Sequence, residues 1–308
     1  MYETKKWAGL FAGPSLAFVL SAICWVGPAN ADTFFFSAGL PDARMASASR
    51  PDSPGKIEIE SADDFVTTAP TTLTSATFTG LIPVGAPLSN ITSVTVEIYR
   101  VFPADSNVGR TSGPPTFMTP QVPTRVNSPS DVALFSRDSA SGSLSFTAGV
   151  LSPNFTANNS VLPGGIHASP LQTTGGNGAV TGQEVSFNVL FNVPILLTAD
   201  HFFFVPQVEL SNGDFLWLST PRPIVPPGTP FPVGFTDLQG WARDANLDPD
   251  WLRIGTDIVG GATPPTFNFA FTLSGDTVVP LPGALPLFAT GLAGLGLLGW
   301  RRKQAAAG

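Results

Sequence analysis

Hydrophobic and polar residues alternate along much of this chain, a period of two that predicts half-buried β-strands. The clearest example runs from Glu184 to Val193, where a valine or phenylalanine stands at every second position. The same pattern predicts strands over residues 75–81, 94–102, 201–210, 214–219 and 267–273. Prolines and glycines separate these stretches, as turns between short strands require. The sequence therefore predicts an all-β fold, an antiparallel β-sandwich of jelly-roll-like type.

The alternation also assigns faces to individual residues. Ile57 and Ile59 alternate with charged residues and should both face the core. Glu97 and Tyr99 fall on the opposite face from the neighbouring valines, so they should face solvent. Ser211-Asn212-Gly213 joins two predicted strands. Because an Asn-Gly pair favours a tight turn, these two strands should form a hairpin.

One segment departs from the strand pattern. Thr236 and Gln239 are spaced as in a capping box, and the apolar residues that follow have helical spacing. This predicts a short helix over 236–246. Asp248-Pro249 predicts a further turn, with Asp at the cap and Pro in the first position. The sandwich should thus carry one or two short helices.

Three stretches lack a regular pattern. Residues 32–55 predict surface coil with one edge strand at Phe34-Phe35-Phe36. Residues 103–131 and 151–182, rich in Pro, Ser, Thr and Gly, predict two long connections. Connections of that length are usually functional or loosely ordered. The β-sandwich domain is therefore assigned to residues 56–276.

The first residues have the features of a secretory signal peptide. Lys5 and Lys6 precede an apolar run, and Ala29 and Ala31 form a small-x-small cleavage site. We expect a signal helix within residues 1–31, with cleavage after Ala31; a retained anchor is the alternative. The single cysteine lies in this segment, so the mature domain should contain no disulfide and no cysteine metal ligand.

The chain has a second apolar segment near its end. Residues 281–300 contain no charged side chain, and a helix of that length can cross a hydrocarbon core of roughly 30 Å. The basic cluster that follows it is Arg301, Arg302 and Lys303. Such a cluster keeps a helix end on the cytoplasmic side. A transmembrane helix is therefore predicted over 283–300, with the preceding domain outside.

The tail over 279–303 resembles a PEP-CTERM sorting signal of Gram-negative, biofilm-forming bacteria. The resemblance rests on the Gly/Leu/Ala-rich helix, the basic cluster and four residues before the helix: Val279, Pro280, Leu281 and Pro282. Leu281 stands where the family usually has Glu. The resemblance implies an inner-membrane-anchored precursor, an exosortase that cleaves near Pro-x-Pro, and delivery to the cell surface or exterior. A plain C-terminal anchor is the alternative.

The same kind of tail is also named after ice-binding proteins, a label for the tail rather than for the domain. Within the domain, three short stretches resemble elements of uncharacterised secreted β-sandwich proteins that bear this tail: 62–65, 214–218 and 267–271. That likeness implies a fold and a compartment, and no activity. Ice binding would require a regular threonine array, and the sequence has no repeat of fixed period.

Charge excludes some partners. The whole chain has 15 basic and 22 acidic side chains, and removing both terminal segments takes away five basic residues and one acidic residue. The remaining domain is strongly acidic. Nucleic acid and anionic membrane surfaces need clustered Lys and Arg, so neither is an expected ligand. Extracellular polysaccharide is the further partner that the route suggests.

Candidate chemistry is sparse. Asp244, Asn246, Asp248 and Asp250 are spaced as in the front of a calcium loop, although Pro249 stands where such a loop needs Gly. The alternative is ordinary turn chemistry. No other cofactor is expected, since no nucleophile elbow, zinc-binding helix or phosphate loop appears.

Two pairs of neighbouring residues and one further histidine are the other candidates for chemistry. Asp63-Asp64 could join a calcium site, but such a pair is more often a solvated turn. Asp200 and His201 are neighbours whose side chains should point to opposite faces of a strand, so they make a poor dyad. His167 lies in a Gly-rich stretch.

Four aromatic residues could form a sugar-stacking platform or belong to the core: Tyr99, Trp217, Trp241 and Trp251. Together these observations favour a non-catalytic exported surface or matrix protein. The alternative is a carbohydrate-binding or carbohydrate-active β-sandwich, which would need an exposed row of aromatic residues or two carboxylates facing a cleft.

Overall fold

The computed structural model describes residues 32–109, 126–167, 173–277, 291–292 and 294–296. The fold is mostly β-sheet, with 49% strand and 7% helical residues. Its strands, numbered β1 to β15 in chain order, form a nine-stranded and a six-stranded sheet. The all-β class predicted from the alternation is thus confirmed, with two sheets.

The nine-stranded sheet is built around β4, which pairs with β9 on one side and with β15 and then β11 on the other. Strands β7 and β1 flank β9 and β15. All pairs are antiparallel except β2 with β8. The strands of this sheet are β1 Thr33–Ser37, β2 Ala46–Ala48, β4 Thr71–Ile82, β7 Ser145–Ala157, β8 Ser160–Val161, β9 Val180–Leu197, β11 Leu216–Thr220, β14 Asn268–Phe269 and β15 Phe271–Thr277.

The six-stranded sheet has the order β13-β12-β3-β10-β5-β6. Its strands are β3 Ile59–Thr67, β5 Ile91–Arg100, β6 Phe135–Asp138, β10 Asp200–Leu210, β12 Trp241–Asp244 and β13 Leu252–Arg253. Three short helical turns lie outside the sheets, at Leu88–Asn90, Pro163–Gly165 and Ile254–Val259.

The main core is aromatic and receives side chains from both sheets. Phe204 of β10 stacks on Phe271 of β15 with ring centroids 4.9 Å apart. Phe78 of β4 stacks on Phe187 of β9 within the same sheet at 4.8 Å, and it also lies 6.3 Å from Phe204 of the other sheet. Each fully buried ring of this kind contributes about 1.5–3 kcal/mol of hydrophobic free energy. The two sheets are therefore held face to face by ring contacts.

The six-stranded sheet is buried on its second face as well. Phe203 alternates with Phe204 along β10, yet both are fully buried. Phe203 belongs to a smaller cluster with Tyr99, Trp241 and Trp251. We call residues 126–134 and 245–251, which contact this face, the covering segments. The strands at the centre of this sheet must therefore hold polar side chains in buried surroundings.

Several predicted strands are confirmed. Those over 75–81, 94–102, 201–210 and 214–219 correspond to β4, β5, β10 and β11. The edge strand at Phe34-Phe35-Phe36 is β1, at the end of its sheet. The 267–273 stretch forms β14 and β15, with its alternating apolar side chains buried as expected.

The predicted helix over 236–246 is wrong. Its second half is β12, which pairs with β3 through Trp241 opposite Ala62. Gly240 and Ala242, on either side of Trp241, are also buried. The strand is therefore buried on both faces, and its apolar residues have a spacing that resembles one face of a helix. The turn predicted at Asp248-Pro249 is present.

The predicted hairpin across 211–213 is also wrong. Strand β10 belongs to the six-stranded sheet and β11 to the nine-stranded sheet, so this turn carries the chain from one sheet to the other. Gly213 has φ +81°, a backbone conformation that glycine adopts without strain. The Asn-Gly signal thus identified the turn but not the partner of each strand.

Two stretches predicted to be irregular contain strands. Strand β2 lies in the supposed coil of 32–55 and is wholly buried, because small Ala and Ser side chains fit between β11 and β8. The supposed connection over 151–182 contains the end of β7, the whole of β8 and the start of β9. The sequence pattern does not reveal these strands, because it depends on large apolar residues at alternate positions. Strand β2 has only short side chains, and the 151–182 stretch is rich in Gly and Pro.

Two residues do not have the faces that the alternation assigned. Ile57 precedes β3 and is 41% exposed, whereas Ile59 is buried. Val193 is 51% exposed because the pairing of β4 with β9 shifts register between Leu190 and Ile195, which leaves Val193 outside the ladder with β4.

The two terminal segments fall mainly outside the described residues. This applies to the signal peptide over 1–31 and to nearly all of the tail; residues 291–292 and 294–296 are helical. Within the described part of the chain, no helix has the length and apolar character that crossing a bilayer requires.

Gly80 tests the packing of β4. A Cβ at this position would overlap the ring of Phe215 and lie 2.6 Å from the Leu216 carbonyl oxygen. We expect Gly80→Ala to lower the free energy of unfolding by about 1–3 kcal/mol in urea titrations. Gly149→Ala, in β7, is the matched control, because nothing lies within 4 Å of its new methyl group. Equal stabilities of the two variants would contradict this packing.

Candidate functional site

An ionic network lies on the second face of the six-stranded sheet. It consists of Glu58, Glu60, Glu97, Tyr99, Gln207 and Arg243. Carboxylate oxygens of the three glutamates lie within 4.8 Å of one another. The strands β3, β5, β10 and β12 supply all members except Glu58, which directly precedes β3. The pairing of adjacent strands thus brings together residues that are far apart in sequence.

Tyr99 and Arg243 connect the members of this network. The Tyr99 Oη lies 2.6 Å from Glu60 Oε1 and 2.9 Å from Glu97 Oε2. Arg243 Nε donates to Glu60 Oε2, and Arg243 Nη2 donates to Tyr99 Oη at 2.9 Å. On the other side, Gln207 Nε2 donates to Glu58 Oε1 at 2.9 Å. The network therefore supplies hydrogen-bond partners to charged groups that the sheet and the covering segments shield from water.

Arg243 also reaches both covering segments. Its Nη1 donates to the carbonyl oxygens of Asp131 and Pro249, each at 3.3 Å. The guanidinium lies 4.3 Å from the ring centroid of Trp251, a cation–π contact. Trp251 in turn donates its indole N–H to the Ser130 carbonyl at 3.2 Å. One buried cation thus joins the network to the segments above it.

Burial changes the protonation of these groups. It raises the pKa of Glu97 to about 7, with the nearby Glu60 as the second cause. Burial also raises the pKa of Glu58 and of the Tyr99 hydroxyl. Desolvation opposes the charge of Arg243, but Glu60 and Tyr99 outweigh it and raise its pKa. Arg243 is therefore the permanent charge around which the acids are arranged.

A second polar cluster lies where β3 meets β10. His201 Nε2 is 2.6 Å from Asp64 Oδ2, and that oxygen also accepts the Leu238 N–H at 2.9 Å. Burial lowers the pKa of His201 to about 4 and raises that of Asp64 well above its usual range. Burial therefore disfavours the charged form of both groups.

Asp63 and Asp64 are not a solvated turn, as the sequence suggested. They lie inside β3, almost fully buried, and point to opposite faces. Asp63 Oδ2 accepts the Phe269 N–H of the other sheet at 2.7 Å, and burial raises its pKa well above the usual range. Asp200 and His201 do not pair through their side chains; His201 turns to Asp64 instead.

The residues with calcium-loop spacing form a turn. Asp244 Oδ1 accepts the backbone N–H groups of Asn246 and Leu247, both at 3.0 Å. Asp248 Oδ1 pairs with Arg243 Nη1 at 2.8 Å. Asp250 is buried beside Trp251. In the part of the chain that the structure describes, the acids whose oxygens lie close together are instead the three glutamates, and Glu60 among them is paired with Arg243.

The proposed sugar-stacking platform is wrong. Tyr99, Trp217, Trp241 and Trp251 are all at most 3% exposed, because each lies between a sheet and a second layer. Trp217 stacks on Phe269 in the main core. These residues belong to the core, which is the alternative that the sequence analysis gives for them.

The remaining predicted residues are His167 and the processing residues. His167 follows the short turn at 163–165 and is half-buried. The predicted processing residues lie outside the described residues: Ala29, Ala31, Val279, Pro280, Leu281, Pro282, Arg301, Arg302 and Lys303.

Sequence reasoning missed the ionic network because a strand with one charged face usually turns that face to solvent. On this ground the alternation predicts that Glu97 and Tyr99 face water, yet Tyr99 is buried. The one available signal was a lone Arg243 between Trp241 and Trp251, an unusual cation in apolar surroundings.

The outer face of the nine-stranded sheet has a different chemistry. We call its central part, on β4, β15 and β9, the hydroxyl face: Thr72, Ser75, Thr77, Thr79, Thr272, Ser274, Ser186 and Asn188. One lateral row runs Phe35, Ser274, Ser75 and Leu190 across four strands. Phe35 and Leu190 are 58% and 61% exposed. Two large apolar side chains thus flank a row of short polar ones.

No protein-family model, curated protein or solved structure matches this chain.

The Arg243–Glu60 pair should contribute strongly to stability. Arg243 is 6% exposed, so Arg243→Met leaves Glu60 buried without its cation and should lower the free energy of unfolding by about 3–5 kcal/mol. Arg100→Met is the control; this side chain is 37% exposed in its pair with Asp105, and its loss should cost under about 1 kcal/mol.

Urea unfolding of both variants measures the difference. The double variant Arg243→Met/Glu60→Gln should lose less than Arg243→Met alone, because no uncompensated buried charge remains. Equal losses for Arg243→Met and Arg100→Met would show that the buried pair does not stabilise the fold.

Proposed function

We propose that this chain is a non-catalytic exported protein of the cell surface or extracellular matrix, whose C-terminal tail is processed by an exosortase. The observation that supports this most is where the folded domain begins and ends. Its described strands run from Thr33 to Thr277, between the predicted cleavage after Ala31 and the predicted processing element at Val279. Cleavage at both points would therefore leave every described strand in place.

The two ends of the domain also lie together. Thr33 pairs with Asp276 in the register of β1 and β15, and the Thr277 N–H donates to the Asp32 carbonyl at 2.8 Å. The two ends of the domain are therefore held together by the pairing of β1 with β15. The jelly-roll connectivity predicted for it is part of the same proposal.

The non-catalytic part of the proposal is supported by the state of the buried acids. Glu60, Glu97 and Asp64 are each bonded to neighbouring side chains or backbone groups of the fold. Carboxyl groups used in this way hold strands and covering segments together.

Intact-mass analysis of the protein recovered from the exterior of its native host tests the proposal. We expect a chain that starts at Asp32 and ends near Pro282, because the signal peptidase and the exosortase would each remove one terminal segment. In a host without the exosortase, the same protein should keep its tail and stay with the membrane fraction. A chain that ends at Gly308 in both hosts would refute processing.

A second candidate is carbohydrate binding, favoured by the hydroxyl face. The face presents short hydroxyl and amide side chains between the exposed Phe35 and Leu190. Three strand spacings of about 4.8 Å separate these two apolar residues, a width of roughly 14 Å. An uncharged glycan strand could lie there with its hydroxyls on the serines and threonines and its apolar faces on Phe35 and Leu190.

Leu190→Ala tests this second candidate. We expect the variant to bind a neutral glucan about tenfold more weakly than the wild type in affinity electrophoresis, since one apolar flank is removed. Leu151→Ala is the matched control, because Leu151 is 59% exposed but lies on β7 outside the hydroxyl face. No retardation of the wild type, or equal retardation of both variants, would rule the surface out.

A further inference from the structure

Tyr99 lies between two carboxyl groups and has only one hydrogen to offer. Its Oη is 2.6 Å from Glu60 Oε1 and 2.9 Å from Glu97 Oε2. An ionised carboxylate accepts hydrogen bonds and donates none, and a guanidinium only donates. Since Arg243 Nη2 already donates to the Tyr99 oxygen, the hydroxyl can satisfy one of the two carboxylates and not both.

Arg243 decides which carboxylate is ionised. Its Nε donates to Glu60 Oε2, so Glu60 is the anion of the ion pair and takes the Tyr99 hydrogen on its other oxygen. The contact between Glu97 and Tyr99 then needs a hydrogen from Glu97. We propose that Glu97 is a proton-binding site, and that release of its proton loosens the covering segments from the six-stranded sheet.

The groups around Glu97 support this assignment. Strand β3 and the residue before it present Glu60 and Glu58, and the 245–251 segment brings Asp248, all acidic. Strand β12 supplies the single cation, Arg243. The remaining neighbours among the described residues are uncharged: Tyr99 on β5, Ser136 on β6, and Val205 and Gln207 on β10. The Ser136 hydroxyl bonds Glu97 and lowers its pKa, but burial and Glu60 outweigh this effect. An ionised Glu97 would be a fourth anion beside one guanidinium, so a bound proton is favoured.

The hydrogen bonds give the proton a structural consequence. With it, the bonds run from Glu97 to Tyr99, from Tyr99 to Glu60, and from Arg243 to both of the latter. Arg243 in turn holds Asp131 and Pro249 of the two covering segments and contacts the Trp251 ring. Without the proton, the Glu97 carboxylate and the Tyr99 oxygen face each other with no hydrogen between them and repel each other. The first hydrogen bond of the series is then lost. The covering segments are then held less tightly.

The first test is an NMR titration of the Trp251 indole N–H, assigned with Trp251→Phe, from pH 5 to pH 8 in EDTA. Trp251 packs edge-on against Tyr99 at 5.4 Å between ring centroids and bonds Ser130. In the wild type its resonance should titrate with a midpoint near pH 7. In Glu97→Gln, whose amide donates to Tyr99 at every pH, the resonance should stay constant.

Urea unfolding is the second test. The pKa of Glu97 is raised from 4.5 to about 7 in the folded protein, so its stabilisation is complete below pH 4.5 and is lost as the pH rises through 7. Between pH 5 and pH 8 the folding constant of the wild type should fall on the order of 50-fold relative to Glu97→Gln.

Three outcomes would overturn the proposal: a Trp251 resonance in the folded wild type that does not titrate, an equal titration in Glu97→Gln, or parallel pH profiles of stability. The wild-type titration alone decides the matter if Glu97→Gln does not fold. None of these readouts depends on export or tail processing.

Discussion

The fold depends on one constraint: β3 is buried on both faces although its sequence contains Glu60, Asp63 and Asp64. A buried charge without a partner costs several kcal/mol, so each of these groups must find a donor within the protein. Asp63 finds one in the opposite sheet, Asp64 in β10 and the 238 backbone, and Glu60 in Arg243 and Tyr99. The neighbours of β3 are thereby fixed in position by polar contacts as well as by rings.

The strands that the sequence predicted well are those with one apolar face. Strand β9 presents Val185, Phe187 and Val189 to the core, and alternation alone locates it. Strand β12 has buried residues on both faces, so the period of two disappears and its apolar spacing resembles a helix. Strand β2 consists of Ala and Ser, which carry no hydrophobic signal. Pattern reasoning therefore fails where a second layer covers the sheet.

The ionic network could not be predicted for a related reason. Its members come from four strands, and their proximity depends on which strands pair, a property that single-strand periodicity does not contain. The assignment of Glu97 and Tyr99 to solvent followed from the ordinary behaviour of an antiparallel sheet with one wet face. The covering segments remove that wet face. Tyr99 is a core residue only because those segments cover it.

The pairing of the two ends has a mechanical consequence. Because Thr33 lies opposite Asp276 in an antiparallel pair, a force that separates the two ends of the domain acts across the strands at one end of the β1–β15 ladder. The hydrogen bonds of that ladder then break one after another, starting from the end where the force acts. A load of this direction is resisted by single bonds in turn, whereas a force along the strands would have to break all of them together.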